Sequence, residues 1–314
     1  MPEARARIAV IGGMNMDIGG FPDGALKTGD SIPGRVHMSA GGVGRNIAEN
    51  AVRLGMDVQL ISAVGGDVNG RFLLEDCRAK GIRVDGIHIE EKSRTSVYLF
   101  VDDVQGDMHC AINDMAVQLA LTPDRIAPWI ERLNAMDAVV LDANLPEVTI
   151  LYLAESLKVP IFADAVSAVK VGKLRGALKR LYCLKPNRIE AELLTGMEIR
   201  DTASAAAAAR RLNEMGVRRV YLTLGLQGAV CAEDGRCRFL PCAARSAVNT
   251  TGAGDAFTAA LAWAHCEGLD LEESGRAGMA AARIAVGAIE AVNPTMRREK
   301  LLDMMAAIPA VTKI

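Results

Sequence analysis

Large rings are scarce in this chain. Aromatic residues make up 4 % of its 314 positions, as six Phe, four Tyr and two Trp. Hydrophobic residues still reach 50 %, so Ala, Val, Ile and Leu must build the core. That composition suits a parallel sheet covered by helices. An excess of charge of either sign is also missing: 36 basic residues face 38 acidic ones, for a net charge of −2. Nothing electrostatic then favours a nucleic-acid polymer or a membrane surface as partner. No uncharged apolar stretch approaches the length of a membrane span. The run after Arg5 and Arg7 is too short for a signal sequence and reads as a first strand. The seven cysteines are odd in number, and Cys231, Cys237 and Cys242 are spaced too irregularly for a zinc knuckle. Reduced thiols in a cytoplasmic protein are the simplest account. The four histidines show no metal-ligand spacing. With no repeat, low-complexity tract or linker, residues 1–314 are expected to form a single domain.

The most informative stretch is Asn249-Thr250-Thr251-Gly252-Ala253-Gly254-Asp255-Ala256-Phe257. Small residues precede an Ala-rich apolar helix pattern over 256–264. A helix start has unpaired N–H groups and partial positive charge, and small residues let an anion approach them closely. A carboxylate beside that anion is electrostatically awkward unless it takes a proton from a hydroxyl attacking a bound phosphate. The bland alternative is an Asp in a first helical turn.

A second Gly-rich turn reads AGGVGRNIAENAVRLG over 40–55. Gly41, Gly42 and Gly44 open a helix whose Ile47, Ala48, Ala51, Val52 and Leu54 share one side. The third Gly of a dinucleotide fingerprint is missing, and no buried parallel strand precedes the run. Small residues with Asn46 and Arg45 suit a polyhydroxylated ligand instead.

Strands are expected at 8–11, 58–64, 138–142, 161–164, 183–185, 220–224 and 229–232, with helices between them from about 122 onward. That order implies a parallel sheet with ligands beyond the strand C-termini. Residues 95–112 alternate about a polar turn, a hairpin signal. With the Gly/Pro-punctuated 17–39 they are expected to form a small sheet acting as a lid.

At this point the chain resembles the ribokinase-like (PfkB) carbohydrate and nucleoside kinases. GGVGRNIAENAVRLG and NTTGAGDAF look like that family's two signatures, in the same order. Gly13-Met14-Asn15-Met16-Asp17, Ser62-Ala63-Val64-Gly65, Leu184-Lys185-Pro186-Asn187-Arg188-Ile189-Glu190 and Thr223-Leu224-Gly225-Leu226-Gln227-Gly228 extend the likeness over nearly the whole chain. Ser31-Ile32-Pro33-Gly34, Arg45-Asn46, Ala111-Ile112-Asn113-Asp114-Met115 and Asp164-Ala165-Val166-Ser167-Ala168-Val169-Lys170 look like its pseudouridine-kinase branch.

The resemblance implies a three-layer α/β/α sandwich with a mostly parallel central sheet and a small β-sheet lid. It implies transfer of phosphate from ATP to the 5′-hydroxyl of pseudouridine. Asp255 would be the general base, with Gly252, Ala253 and Gly254 as the anion hole. Asn15, Asp17, Gly42 and Asn46 would hold the ribose. Asn113 and Lys170 could reach the base, because an amide donates and accepts and an ammonium donates to a carbonyl. Asn187, Thr223, Gly225 and Gly228 would face ATP, and Glu190 would hold Mg²⁺ through water. Residues 278–293 would wall the adenine. Asn249 stands where the wider family has an Asp that helps bind a monovalent cation, which puts cation activation in doubt. The lid strands could also pair two copies into a homodimer. The remaining alternatives are another nucleoside or sugar kinase (ribose, adenosine, cytidine or inosine) and a non-catalytic ligand-binding regulator.

Overall fold

A computed structural model describes residues 5–242, 251–288, 290–309 and 311–314. The fourteen strands are β1 (Arg7–Ile11), β2 (Asn15–Pro22), β3 (Gly34–Gly41), β4 (Asp57–Gly65), β5 (Arg83–Glu90), β6 (Val97–Asp102), β7 (Met108–Asp114), β8 (Ala138–Asp142), β9 (Ile161–Asp164), β10 (Cys183–Lys185), β11 (Arg219–Thr223), β12 (Gly228–Glu233), β13 (Arg236–Pro241) and β14 (Thr312–Lys313).

Ten of them form one sheet in the order β14-β13-β12-β11-β10-β9-β8-β1-β4-β5. Side chains alternate across a strand, so β1 splits its apolar residues between two cores. Ile8 and Val10 join the layer that contains Ile47, Phe257 and Ala280. Ala9 and Ile11 join the layer that contains Ile150, Leu174 and Ala208. This is the expected α/β/α sandwich, filled mainly by aliphatic side chains with a few fully buried rings, Phe162, Tyr221 and Phe257, among them.

Pairing is parallel from β5 across to β11. It then turns antiparallel through β12, β13 and β14. The sequence order suggested that 229–232 would continue the βα alternation, but only the short turn Gly225–Gln227 separates β11 from β12. A parallel return needs a crossover of a dozen or more residues, so the chain must double back. Strands β5, β13 and β14 have no counterpart in the sequence expectation. β5 mixes polar and apolar positions at the sheet edge, which blurs its signal.

The remaining strands form a second sheet in the order β3-β2-β6-β7. It unites 17–39 with the 95–112 hairpin, as expected. Among the described residues no helix is long and apolar enough to cross a membrane. None of the seven cysteines is in a disulfide.

Candidate active site

The first Gly-rich turn leads into the helix Val43–Arg53. Gly42 caps it at φ 101°, a left-handed region that L side chains rarely adopt. A Cβ there would lie 2.6 Å from the Gly13 carbonyl oxygen. The helix is buried beyond its apolar stripe: Arg45, Glu49 and Asn50 are also covered. Arg45 pairs with Glu49, and Glu49 also binds Arg53 at 2.8 Å and Lys80 at 3.1 Å. These pairs let a charged face enter the interior. Arg45 Nη1 also donates to Asn46 Oδ1 at 2.7 Å, which fixes the amide so that its NH₂ faces away. Across the turn, Asn15 Nδ2 donates to Asp17 Oδ1 at 2.6 Å. Burial raises the Asp17 carboxyl above its usual range, against the Asn15 bond and the nearby Arg45 charge.

The second turn leads into the helix Ala253–Cys266, three residues earlier than its apolar pattern suggests. Gly252 caps it at φ 80°, where a Cβ would collide with the Ala291 carbonyl. The Asn46 amide donates to Asp255 Oδ2 at 2.8 Å. The two turns, distant in sequence, therefore meet through a side-chain hydrogen bond. Burial pushes the Asp255 carboxyl up to about 7. Asp164 adds like charge, the Asn46 bond and Lys185 pull down, and Asp142 adds a smaller push upward.

Two charged residues that end buried strands, Lys185 and Asp164, lie beside this turn and its helix, and a third, Asp142, ends β8 against Gly12 and Gly13. Lys185 Nζ sits 3.2 Å from Asp164 Oδ2 and 3.0 Å from where a Cβ on Gly254 would stand. Thr258 Oγ1 and the Val166 N–H hold Asp164 at 2.7 and 2.9 Å. Burial disfavours the Lys185 charge, but Asp164, Glu190 and Asp255 outweigh it and its pKa stays raised. Asp142 accepts the Gly13 N–H at 2.8 Å. Asp142 and Asp164 stand at strand C-terminal ends, where the sequence order places ligands, but neither they nor Lys185 carry an expected role. The available signal was a charge closing each of two short apolar strands.

A cavity of about 290 Å³ opens beside the second turn. Thr223, Gly225, Gly228, Ala253 and Gly254 line one part of it. Met279, Ala282, Arg283 and Val286 line another, within the segment expected to wall an adenine. Asn187 and Glu190 form a capping box at the start of the helix Arg188–Thr195, with bonds of 2.7 and 2.9 Å. One Glu190 oxygen is thereby occupied. Burial raises this carboxyl, against the Lys185 charge. Among the described residues no three acidic, His or Cys side chains gather as a metal cage. A carboxylate with one oxygen to spare fits an ion kept hydrated on nucleotide phosphates, as Mg²⁺ commonly is.

Asn113 lies exposed on β7. Lys170 is on the main body, where its ammonium donates to Asn144 Oδ1 at 2.6 Å, and burial lowers its pKa. Among the described residues no hydrogen bond joins these two to each other or to the remaining expected site residues. Asn249 lies outside the described residues.

The pfkB family carbohydrate kinase profile matches residues 5–297. The pseudouridine kinase of Escherichia coli (strain K12) is 33 % identical over 300 residues, covering 95 % of this chain and 96 % of that protein. A solved carbohydrate kinase from Agrobacterium tumefaciens superposes with a TM-score of 0.86 at 30 % identity, covering 98 % of this chain and all of that one. Arabidopsis thaliana ribokinase, solved in complex with ribose and ATP, gives 0.87 at 25 % identity, with 96 % and 99 % covered.

Proposed function

This chain belongs to the pfkB family of carbohydrate kinases, and on that premise we propose that it transfers the terminal phosphate of ATP to the 5′-hydroxyl of pseudouridine. The observation that carries the reading is the Asn46–Asp255 hydrogen bond. It ties a side chain suited to sugar hydroxyls to a carboxylate suited to deprotonating one. Asp17 and Asn46 accept from and donate to the ribose, with Asn15 orienting Asp17. Gly42 lets the turn pack against the backbone of 13–15, which brings the start of the helix beside Asn15 and Asp17. ATP occupies the cavity lined by Thr223, Gly225 and Gly228, with its terminal phosphate at the N–H groups of 252–254. Asp255, neutral or charged near pH 7, takes the 5′-hydroxyl proton as the oxygen attacks. The N–H groups and Lys185 meet the charge that spreads over the transferred group. Mg²⁺, held near Asn187 and Glu190, would neutralise the phosphates.

Similarity to the E. coli pseudouridine kinase supports the choice of nucleoside. Asn113 and Lys170 are the side chains assigned to the base. Ribose contacts alone do not discriminate, and the likeness to a ribose-bound ribokinase keeps ribose and other nucleosides as the second reading. An intact Gly252-Ala253-Gly254-Asp255 turn argues against a non-catalytic regulator. ADP release measured across pseudouridine, uridine, adenosine, cytidine, inosine and ribose tests the reading. Pseudouridine should give the highest kcat/KM. Asn113→Ala should narrow its lead, while Asp17→Ala should weaken all acceptors alike. Equal or better turnover of another acceptor overturns the choice of pseudouridine, and no turnover of any acceptor overturns the kinase.

The small sheet is read as a lid that the nucleoside closes. Slower hydrogen exchange over 95–112 on nucleoside binding would support this, and unchanged exchange would end it. On the sheet face opposite Asp17, Val36 is 72 %, Met38 51 % and Ile112 67 % exposed. An apolar face of that kind supports a homodimer through the lid, which light scattering tests.

A further inference from the structure

The face of the small sheet that carries Asp17 also carries three of the chain's few aromatic residues. Cross-strand partners share a face, and the register places Ser39, Asp17, Tyr98 and Asn113 in one row across all four strands. Phe100 lies next to Tyr98 on β6 with ring centroids 5.8 Å apart, and Phe21 meets Phe100 edge-on at 6.0 Å. Gly19 makes this possible, since a Cβ there would stand 2.6 Å from the Phe100 ring. The Tyr98 hydroxyl donates to Met108 Sδ at 3.3 Å, which draws the ring along the strand. All three rings are only partly buried. In a chain that builds its interior with so few rings, half-exposed aromatics gathered beside a sugar-binding candidate call for a reason.

We propose that Tyr98, backed by Phe100, is the surface on which the planar base of the acceptor lies, so that the acceptor is a nucleoside and not a free sugar. This rests on the kinase reading above. Strand spacing of about 4.8 Å puts Asp17 and Asn113, two strands apart, roughly 10 Å from each other. A nucleoside bridges that span with its ribose at Asp17, and a pentose does not. Every base has a π-face, so stacking selects for the presence of a base and leaves the hydrogen-bonding side chains to select which one.

The test compares Tyr98→Ala, Tyr98→Phe and Tyr98→Trp with the unaltered protein, using pseudouridine, uridine and ribose with ATP. Tyr98→Ala should raise KM for both nucleosides by roughly tenfold or more. It should leave ribose turnover within about twofold, and Tyr98→Phe should behave as the unaltered protein. In Tyr98→Trp, both nucleosides should quench the new indole emission and ribose should not. A Tyr98→Ala protein that turns over nucleosides normally, or loses nucleoside and ribose activity equally, overturns the stacking surface alone. An unaltered protein that prefers ribose to every nucleoside overturns the nucleoside reading as well.

Discussion

Asn46 donates to Asp255 at 2.8 Å across 209 residues of chain. Arg45 fixes the Asn46 amide from the other side through its oxygen. A buried amide is thus oriented by a cation at one end and presents its N–H to a carboxylate at the other. With Asn46 holding the acceptor as proposed, that arrangement would couple acceptor binding to the ionisation of the candidate base.

Asp255→Asn should fold and bind ADP but lose roughly 10²–10⁴ in kcat, the usual worth of a positioned base. Near-normal turnover in that variant would remove Asp255 from the mechanism.

The pH dependence has a defined sign. Asp255 must be ionised to act as a base, and burial lifts its carboxyl to about 7. kcat/KM should rise as pH climbs through that region and then level off. Asn46→Ala removes a bond that holds this pKa down, so the rising limb should move to higher pH. Stability runs the other way. A carboxyl that binds its proton more tightly when folded stabilises the fold at low pH, and that stability is lost between its ordinary value of 3.8 and about 7. The Tm advantage of Asp255→Asn over the unaltered protein should therefore widen across that window.

The architecture was legible because its signals are local. Short apolar runs ending in Gly or Asp marked the parallel strands, and the hairpin at 95–112 announced itself by alternation. The antiparallel end of the sheet was not legible, because β12 reads like any buried strand until the length of the Gly225–Gln227 turn is weighed. The two Gly-rich turns stood out by composition and by likeness to the family. The Lys185–Asp164 pair did not, because it depends on two strands standing side by side in register. Tyr98 was invisible for the same reason: only cross-strand pairing puts it between Asp17 and Asn113.

Lys185→Met should lower kcat by roughly ten- to a thousandfold with little effect on ADP binding, since its ammonium lies beside the turn proposed to bind phosphate. The single variant strands the buried Asp164 charge and should lose stability, by roughly 3–5 kcal/mol. The double variant Asp164→Asn with Lys185→Met should recover Tm and not kcat. Recovery of both would make the pair purely structural.

Gly252→Ala tests the turn itself. Its φ of 80° costs an L side chain about 1–2 kcal/mol, and the Ala291 carbonyl leaves no room for a methyl group. A turn forced to shift should lower kcat/KM by roughly tenfold or more. Unchanged kinetics would mean that the turn does not position phosphate.

The proposed acceptor is pseudouridine, phosphorylated at its 5′-hydroxyl. The direct measurement is internal competition: pseudouridine and uridine at equal concentration in one reaction with ATP and Mg²⁺, with the 5′-phosphates followed by ³¹P NMR. The two nucleosides share the ribose and differ at one ring edge, where pseudouridine carries an extra N–H. If closure of the small sheet over the base buries the Asn113 oxygen, an acceptor left unpaired by uridine costs about 1–3 kcal/mol, so pseudouridine 5′-phosphate should form at least severalfold faster. Uridine phosphorylated as fast or faster would rule out pseudouridine as the preferred acceptor.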